Sequence, residues 1–289
     1  MDVFEREGAA VAYRCQGAGP AILFLHNGGA SSAIWRNQVA SLRATYTVIT
    51  VDLPGFGSSP RPPGGLDLAG HVDLLAALVE QLGVSRLLVV GNCMGSNIAT
   101  RLAAAHPDLV AGLVLVNPLT RATFSGGCLG LLHVMERVAP GPARALRYLA
   151  RRVVLPRPTA VLALRFQIGR SGAAIGLHHD DELLSAWSRA QQLPALIDVL
   201  DDMEAYAALD REPVNRGTRT CTVWGAQNRV LSAKEGIRLN GRMRPARAVV
   251  LEGCGHLPML EDPDSVTAII SEVGREAFAG LATAGGRDR

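Results

Sequence analysis

"LLVVGNCMGSNIA", residues 87–99, is the stretch whose reading decides the fold. Leu87 to Asn92 read as an apolar strand, and the small residues after Met94 open a helix that Pro107 ends. Between them stands Gly91-Asn92-Cys93-Met94-Gly95. A strand that turns this sharply into a helix needs glycines on either side, because larger side chains would clash. Such a turn holds its central side chain at the carboxyl end of a sheet, against a helix N-terminus. The helix dipole there favours a thiolate. Buried cysteines are common and mostly inert, so the turn alone leaves Cys93 either a nucleophile or a small core residue.

Working outward, short apolar runs alternate with helical segments. "AAVAYRCQ" (9–16), "PAILFLH" (20–26), "YTVITVDLPG" (46–55), "VAGLVLVNP" (110–118), "TRTCTVWG" (218–225) and "ARAVVLEGCGH" (246–256) read as strands or strand ends. "HVDLLAALVEQLG" (71–83) has helical spacing and stops at glycine, and "DSVTAIISEVGREAFAGL" (264–281) is a terminal helix. Apolar strands alternating with helices imply an α/β fold with a mostly parallel sheet covered on both faces.

The alternation stops between residues 119 and 213, where several helices are expected, broken by Pro140, Pro142, Pro156, Pro158 and Pro194. We expect a core of residues 1–118 and 214–289 and a helical cap inserted at 119–213. The charge of the insertion is lopsided. Residues 121–170 carry nine arginines and one acid, Glu136; residues 180–212 carry nine acids and two arginines, Arg189 and Arg211. Either the two faces pair with each other, or an arginine-rich face receives an anionic substrate or a carrier-bound phosphate. The tail "TAGGRDR" (283–289) is expected to be disordered.

Bulk composition narrows the class. The 289 residues are 48% hydrophobic and 19% charged, which suits one packed core with an insertion and not a disordered chain. The net charge of +3 is too small to argue for nucleic acid. Basicity rests on 28 arginines and a single lysine, Lys234, a bias that codon composition explains. Cys15, Cys93, Cys128, Cys221 and Cys254 are odd in number, widely spaced and without a CxxC pair, which favours reduced thiols in a cytoplasm over a disulfide framework or a zinc site. The acidic N-terminal stretch has no signal-peptide pattern, and no apolar run has the ~18 residues of a membrane span.

Three further motifs carry chemistry. His256 lies in "LEGCGHLPMLEDP" (251–263), after the last strand and before a helix, where a general base could reach Cys93. "LHNGGASSAIW" (25–35) opens from a strand end into His26-Asn27-Gly28-Gly29, whose backbone could present an N–H to an oxyanion. "VDLPGFGSS" (51–59) joins a strand end to a tight loop and is chiefly architectural, with Asp52 at its head. His178-His179-Asp180-Asp181 has no further ligands at metal spacing and reads as a solvated turn; no metal or cofactor is implied. Trp35, Phe124, Phe166, Trp187, Leu257 and Met259, with Asn27, are candidate pocket residues, although packing explains apolar residues equally well.

In this order the motifs resemble the α/β-hydrolase fold family, from about residue 8 to residue 279. The resemblance implies an eight-stranded, mostly parallel sheet. It places Cys93 at the nucleophile position, His256 at the base position, and the backbone N–H groups of Gly28 and Met94 at the oxyanion hole. The sequence departs from the family twice. Cys93 stands where most relatives have serine. "WGAQN" puts Asn228 where most have aspartate, and the alternative acid seat, in "LVLVNP", is Asn117.

These departures agree with each other. A thiol can be ionised in advance as a thiolate–imidazolium pair, and then an amide oxygen suffices to orient the ring. A Cys93–His256–Asn228 triad is the expectation. It implies acyl transfer through an S-acyl intermediate: a thioesterase or esterase, or an acyltransferase or cyclase, of the kind found in natural-product biosynthesis. The substrate would be a small acyl compound, CoA- or carrier-bound, on a monomer or homodimer. The alternatives are a decayed or purely ligand-binding homologue, and a lyase or isomerase using His256 without a covalent step.

Overall fold

In a computed structural model, which describes residues 1–128, 130, 135, 138–211 and 217–279, eight strands form one sheet. They are β1 (Asp2–Arg6), β2 (Ala9–Gln16), β3 (Ala21–Leu25), β4 (Thr47–Asp52), β5 (Leu87–Asn92), β6 (Val110–Val116), β7 (Arg219–Gly225) and β8 (Arg247–Leu251). The order is β1-β2-β4-β3-β5-β6-β7-β8. β1 and β2 run antiparallel to their neighbours, and β3 to β8 pair in parallel. β1 has no counterpart among the runs read from the sequence: it is an edge strand with one buried residue, Phe4, too exposed to register as an apolar run.

Alternation within each strand feeds two cores. On β3, Leu23 and Leu25 face one layer, and Ile22 and Phe24 face the other. The first layer is closed by helices Leu68–Gln81, Met94–Ala105 and Ala233–Met243, through residues such as Leu75, Ile98 and Leu239. The second is closed by Arg36–Leu42 and Pro263–Phe278, through Leu42 and Ile270. Burial on both faces is why these strands read as continuous apolar runs.

Between β6 and β7 the described residues form helices and turns and no strand. The prolines start helices there rather than break them. Pro140 and Pro142 open Pro140–Ala150, Pro158 sits in the first turn of Arg157–Gln167, and Pro194 in that of Gln192–Asp201. The charge asymmetry resolves into pairing. Arg121 meets Glu204, Arg147 meets Asp201, Arg151 bridges Asp198 and Asp201 at 2.7 Å each, and Arg157 meets Asp181. These four arginines are therefore committed to the acidic segment. Residues 136, 137 and 212–216, and the tail 283–289, lie outside the described residues.

Candidate active site

The turn after β5 has the strained form its glycines suggest. Cys93 has φ 55° and ψ −112°, a conformation L-residues seldom adopt, and caps helix Met94–Ala105. The surroundings enforce it. Cys93 N–H donates to Val116 O at 2.9 Å, and its carbonyl accepts from Ser96 N and Leu119 N. A Cβ on Gly91 would lie 2.3 Å from the Gly95 carbonyl group, and one on Gly95 would lie 2.5 Å from Leu25 O. Ser96 Oγ donates to Gly91 O and Val116 O, which ties the elbow to β6.

Cys93 and His256 line one cavity of about 350 Å³. Its wall is nearly all apolar: Met94 from the helix after β5, and Leu119, Phe124, Phe166, Trp187, Leu196 and Met203 from the segment between β6 and β7. Gly28 lines it too; a Cβ there would stand 3.0 Å from Leu196 and 3.5 Å from the Met94 sulfur.

This apolar setting governs ionisation. Burial pushes the Cys93 thiol up to about 12, against a smaller downward pull from the Met94 backbone N–H beside it. Burial alone pushes His256 down to about 3. Burial thus works against the charged form of both groups, and so against the expected thiolate–imidazolium pair, because the cavity solvates neither charge. Among the described residues no hydrogen bond joins Sγ of Cys93 to the His256 ring.

The amide of Asn228 is oriented against expectation as well. Its oxygen accepts from Val230 N and Leu231 N at 3.0 Å each, and its nitrogen faces Nδ1 of His256 at 3.1 Å. The two backbone donors fix which end of the amide is which. Nδ1 is thus an acceptor and the ring proton sits on Nε2. An amide oxygen orienting Nδ1–H is not what this site holds.

Asn117, in the second acid seat with φ 43°, makes no hydrogen bond to the ring among the described residues. It donates to His256 O at 3.2 Å and accepts from Gly225 N at 3.1 Å. Asn92 also donates to His256 O, at 3.2 Å, and to Asn27 Oδ1 at 3.1 Å. Asn27 is fully buried in this network and donates to Gly28 O, so it braces the glycine turn instead of facing the cavity. Asp52 accepts from Ser32 N and Ser58 N, holding two loops. His26 accepts from Leu53 N through Nε2 and donates from Nδ1 to Asn27 O.

Of the expected pocket residues, Phe124, Phe166 and Trp187 line the cavity. Trp35 does not: it is fully buried against Phe24, ring centroids 5.0 Å apart, because it faces the second core. Leu257 lies behind Trp187 in a narrow gap, and Met259 is core. The sequence reading gave no role to Glu261, whose buried carboxylate accepts from Gly255 N at 2.8 Å, Leu257 N at 3.2 Å, Gly169 N at 2.6 Å and Gly172 N at 3.4 Å. It locks the His256 loop to the insertion. The signal was an acid within the same motif, five residues after the histidine. Asp180, the cap of helix Asp181–Trp187, pairs with Arg36 at 2.6 Å.

The sheet order, the glycine-flanked elbow and the histidine after the last strand define a class. The chain belongs to the alpha/beta hydrolase fold family, matching it over residues 20–263. It is similar to an uncharacterised protein of Mycobacterium tuberculosis, 28% identical over 263 residues, covering 87% of this chain and 74% of that protein. It is also similar to haloalkane dehalogenase 2 of the same species, 27% identical over 282 residues, 93% of each chain. Among solved structures it resembles a thermophilic esterase from Thermogutta terrifontis, with a TM-score of 0.72, 22% identity, and 93% and 94% of the two chains covered. No helix among the described residues is long and apolar enough to cross a membrane.

Proposed function

We propose that this protein catalyses acyl transfer through an S-acyl intermediate on Cys93, using an ester or thioester with an apolar acyl group. One observation carries the reading. Cys93 keeps the strained positive-φ elbow, with the Met94 amide beside its sulfur, in an apolar cavity it shares with His256. Strain of this kind costs on the order of 1–3 kcal/mol and persists where function maintains it. The inserted helices act as the cap of residues 119–213, closing the cavity over the sheet.

In the reaction, Sγ attacks the acyl carbonyl, and the oxyanion takes N–H groups at Met94 and Gly28, each worth about 3 kcal/mol in related chemistry. The thiol proton is the obstacle. Nε2 of His256 can accept it only after the ring proton moves to Nδ1, which requires the Asn228 amide to turn. Turning strands the N–H groups of Val230 and Leu231, at about 1–3 kcal/mol each. The proton step is therefore slow, and it limits acylation of Cys93 whichever acceptor later takes the acyl group.

A second reading is favoured by that same Asn228–His256 contact: a protein that binds an apolar ligand without covalent chemistry. The test is intact mass after mixing with an acyl thioester. An adduct on the wild type that is absent from Cys93→Ala supports acyl transfer. No adduct, or one that persists in Cys93→Ala, overturns it.

A further inference from the structure

Outside the reaction cavity lies a trough of about 430 Å³, between β2, helix Arg36–Leu42 and helix Asp181–Trp187. It is lined by Arg14, Arg36, Arg43 and Arg189 and by two acids, Asp52 and Glu182. The acids are occupied. Asp52 accepts from the Ser32 and Ser58 amides, and Glu182 lies 3.5 Å from Arg36. Among the described residues, Arg14, Arg43 and Arg189 form no ion pair, in contrast to the paired arginines of the insertion. The Arg36–Glu182 pairing is loose: Nη1 of Arg36, the atom that faces Glu182 at 3.5 Å, makes no hydrogen bond. Serine hydroxyls complete the wall. This is a donor-rich, net positive site for a phosphate group.

The trough borders the reaction cavity across one narrow gap. It shares Ser31 and Ala186 with a gap of only about 10 Å³, and that gap shares Gln167 and Trp187 with the reaction cavity. Trp187 fills the seam: its indole lies where a Cβ on Gly29 would be 2.9 Å away. Trp187 ends a short helix whose first turn is held to the core by the Arg36–Asp180 pair at 2.6 Å.

We propose that the trough seats the phosphate of an acyl thioester's carrier arm, and that the arm reaches Cys93 along the seam now filled by Trp187. This rests on the S-acyl reading above and adds to it the class of substrate: an acyl group on a phosphorylated pantetheine arm. In the step, the bond from Cys93 Sγ to the acyl carbon forms and the substrate's carbon–sulfur bond breaks. The departing thiol leaves with the proton that Cys93 gives up.

The experiment compares one acyl group on three thiols: CoA, a phosphopantetheinylated carrier protein, and N-acetylcysteamine, which has no phosphate. Acylation of Cys93 is followed by intact mass, and CoA alone is titrated by calorimetry. CoA thioester is expected to acylate at a concentration about tenfold lower than the N-acetylcysteamine thioester. The triple variant Arg14→Ser, Arg43→Ser, Arg189→Ser is expected to erase that ratio and to weaken CoA binding about tenfold. A preference for the carrier protein over CoA assigns the arm to a protein-bound source. Equal rates for the phosphorylated and unphosphorylated thioesters overturn the trough, as does CoA binding that ignores the three arginines. CoA binding that needs the arginines, with no adduct from any thioester, upholds the trough and overturns the S-acyl reading.

Discussion

Asn228 donates its side-chain N–H to Nδ1 of His256 at 3.1 Å, while its oxygen is held by the Val230 and Leu231 amides. An aspartate there would accept from all three at once, from Nδ1–H included. The amide reverses one of those bonds, and so decides which nitrogen of the ring can act.

Replacing Asn228 with Asp is expected to speed acylation of Cys93 about tenfold or more, because Nε2 is freed without stranding either amide. Stopped mixing with an acyl thioester and intact mass measures this. Cys93→Ser alone is expected to be nearly inactive, and Cys93→Ser with Asn228→Asp to regain part of the hydrolysis. A fully active Cys93→Ser single variant would show the coupling to be wrong.

Stability is expected to fall in acid. His256 titrates near 3 and His71 near 4 in the folded chain, and both start from 6.5. Their folded values are depressed, so the stability they contribute is present above about pH 6.5 and is lost as pH falls toward 3–4. Each group contributes at most about 1.4 kcal/mol per pH unit in that window. Chemical unfolding at a series of pH values checks it, and a flat profile from pH 7 to 4 would contradict neutral burial.

Cys93 is expected to react slowly with iodoacetamide near neutral pH, because burial holds its thiol near 12. Cys15 and Cys128 are exposed and should label first. Peptide mapping over a time course gives the order. Labelling of Cys93 ahead of Cys128 would mean that the resting thiol is already ionised.

The elbow strain is directly measurable. Cys93→Gly is expected to be more stable than Cys93→Ala by about 1 kcal/mol, because glycine adopts φ 55° freely and alanine does not. Thermal unfolding of the pair reads this, and equal midpoints would mean that the turn carries no strain.

Glu261→Gln is expected to destabilise the fold by about 2–4 kcal/mol, since four backbone amides converge on that buried carboxylate. Denaturant unfolding checks it; a loss below about 0.5 kcal/mol would remove Glu261 as the lock of the His256 loop.

By itself the sequence determined the strand–turn–helix at Cys93 and the alternation that builds the sheet. Gly91 and Gly95 announce that turn because its constraint is steric and local: a Cβ on either meets backbone at 2.3 to 2.5 Å. The apolar runs declare buried strands because both faces of the sheet are covered. Only the tertiary structure decided the rest. Trp35 and Phe124 are both buried aromatics in sequence terms, but one packs on Phe24 and the other lines the cavity. The arginines of 121–170 could have faced a ligand; acids 24 to 83 residues further along the chain pair with four of them. Asn228 names a residue but not which of its ends meets His256; Val230 and Leu231 decide that by taking the oxygen. Hydrogen-bond direction, charge pairing and desolvation depend on which groups meet across the fold, and sequence spacing does not contain that information.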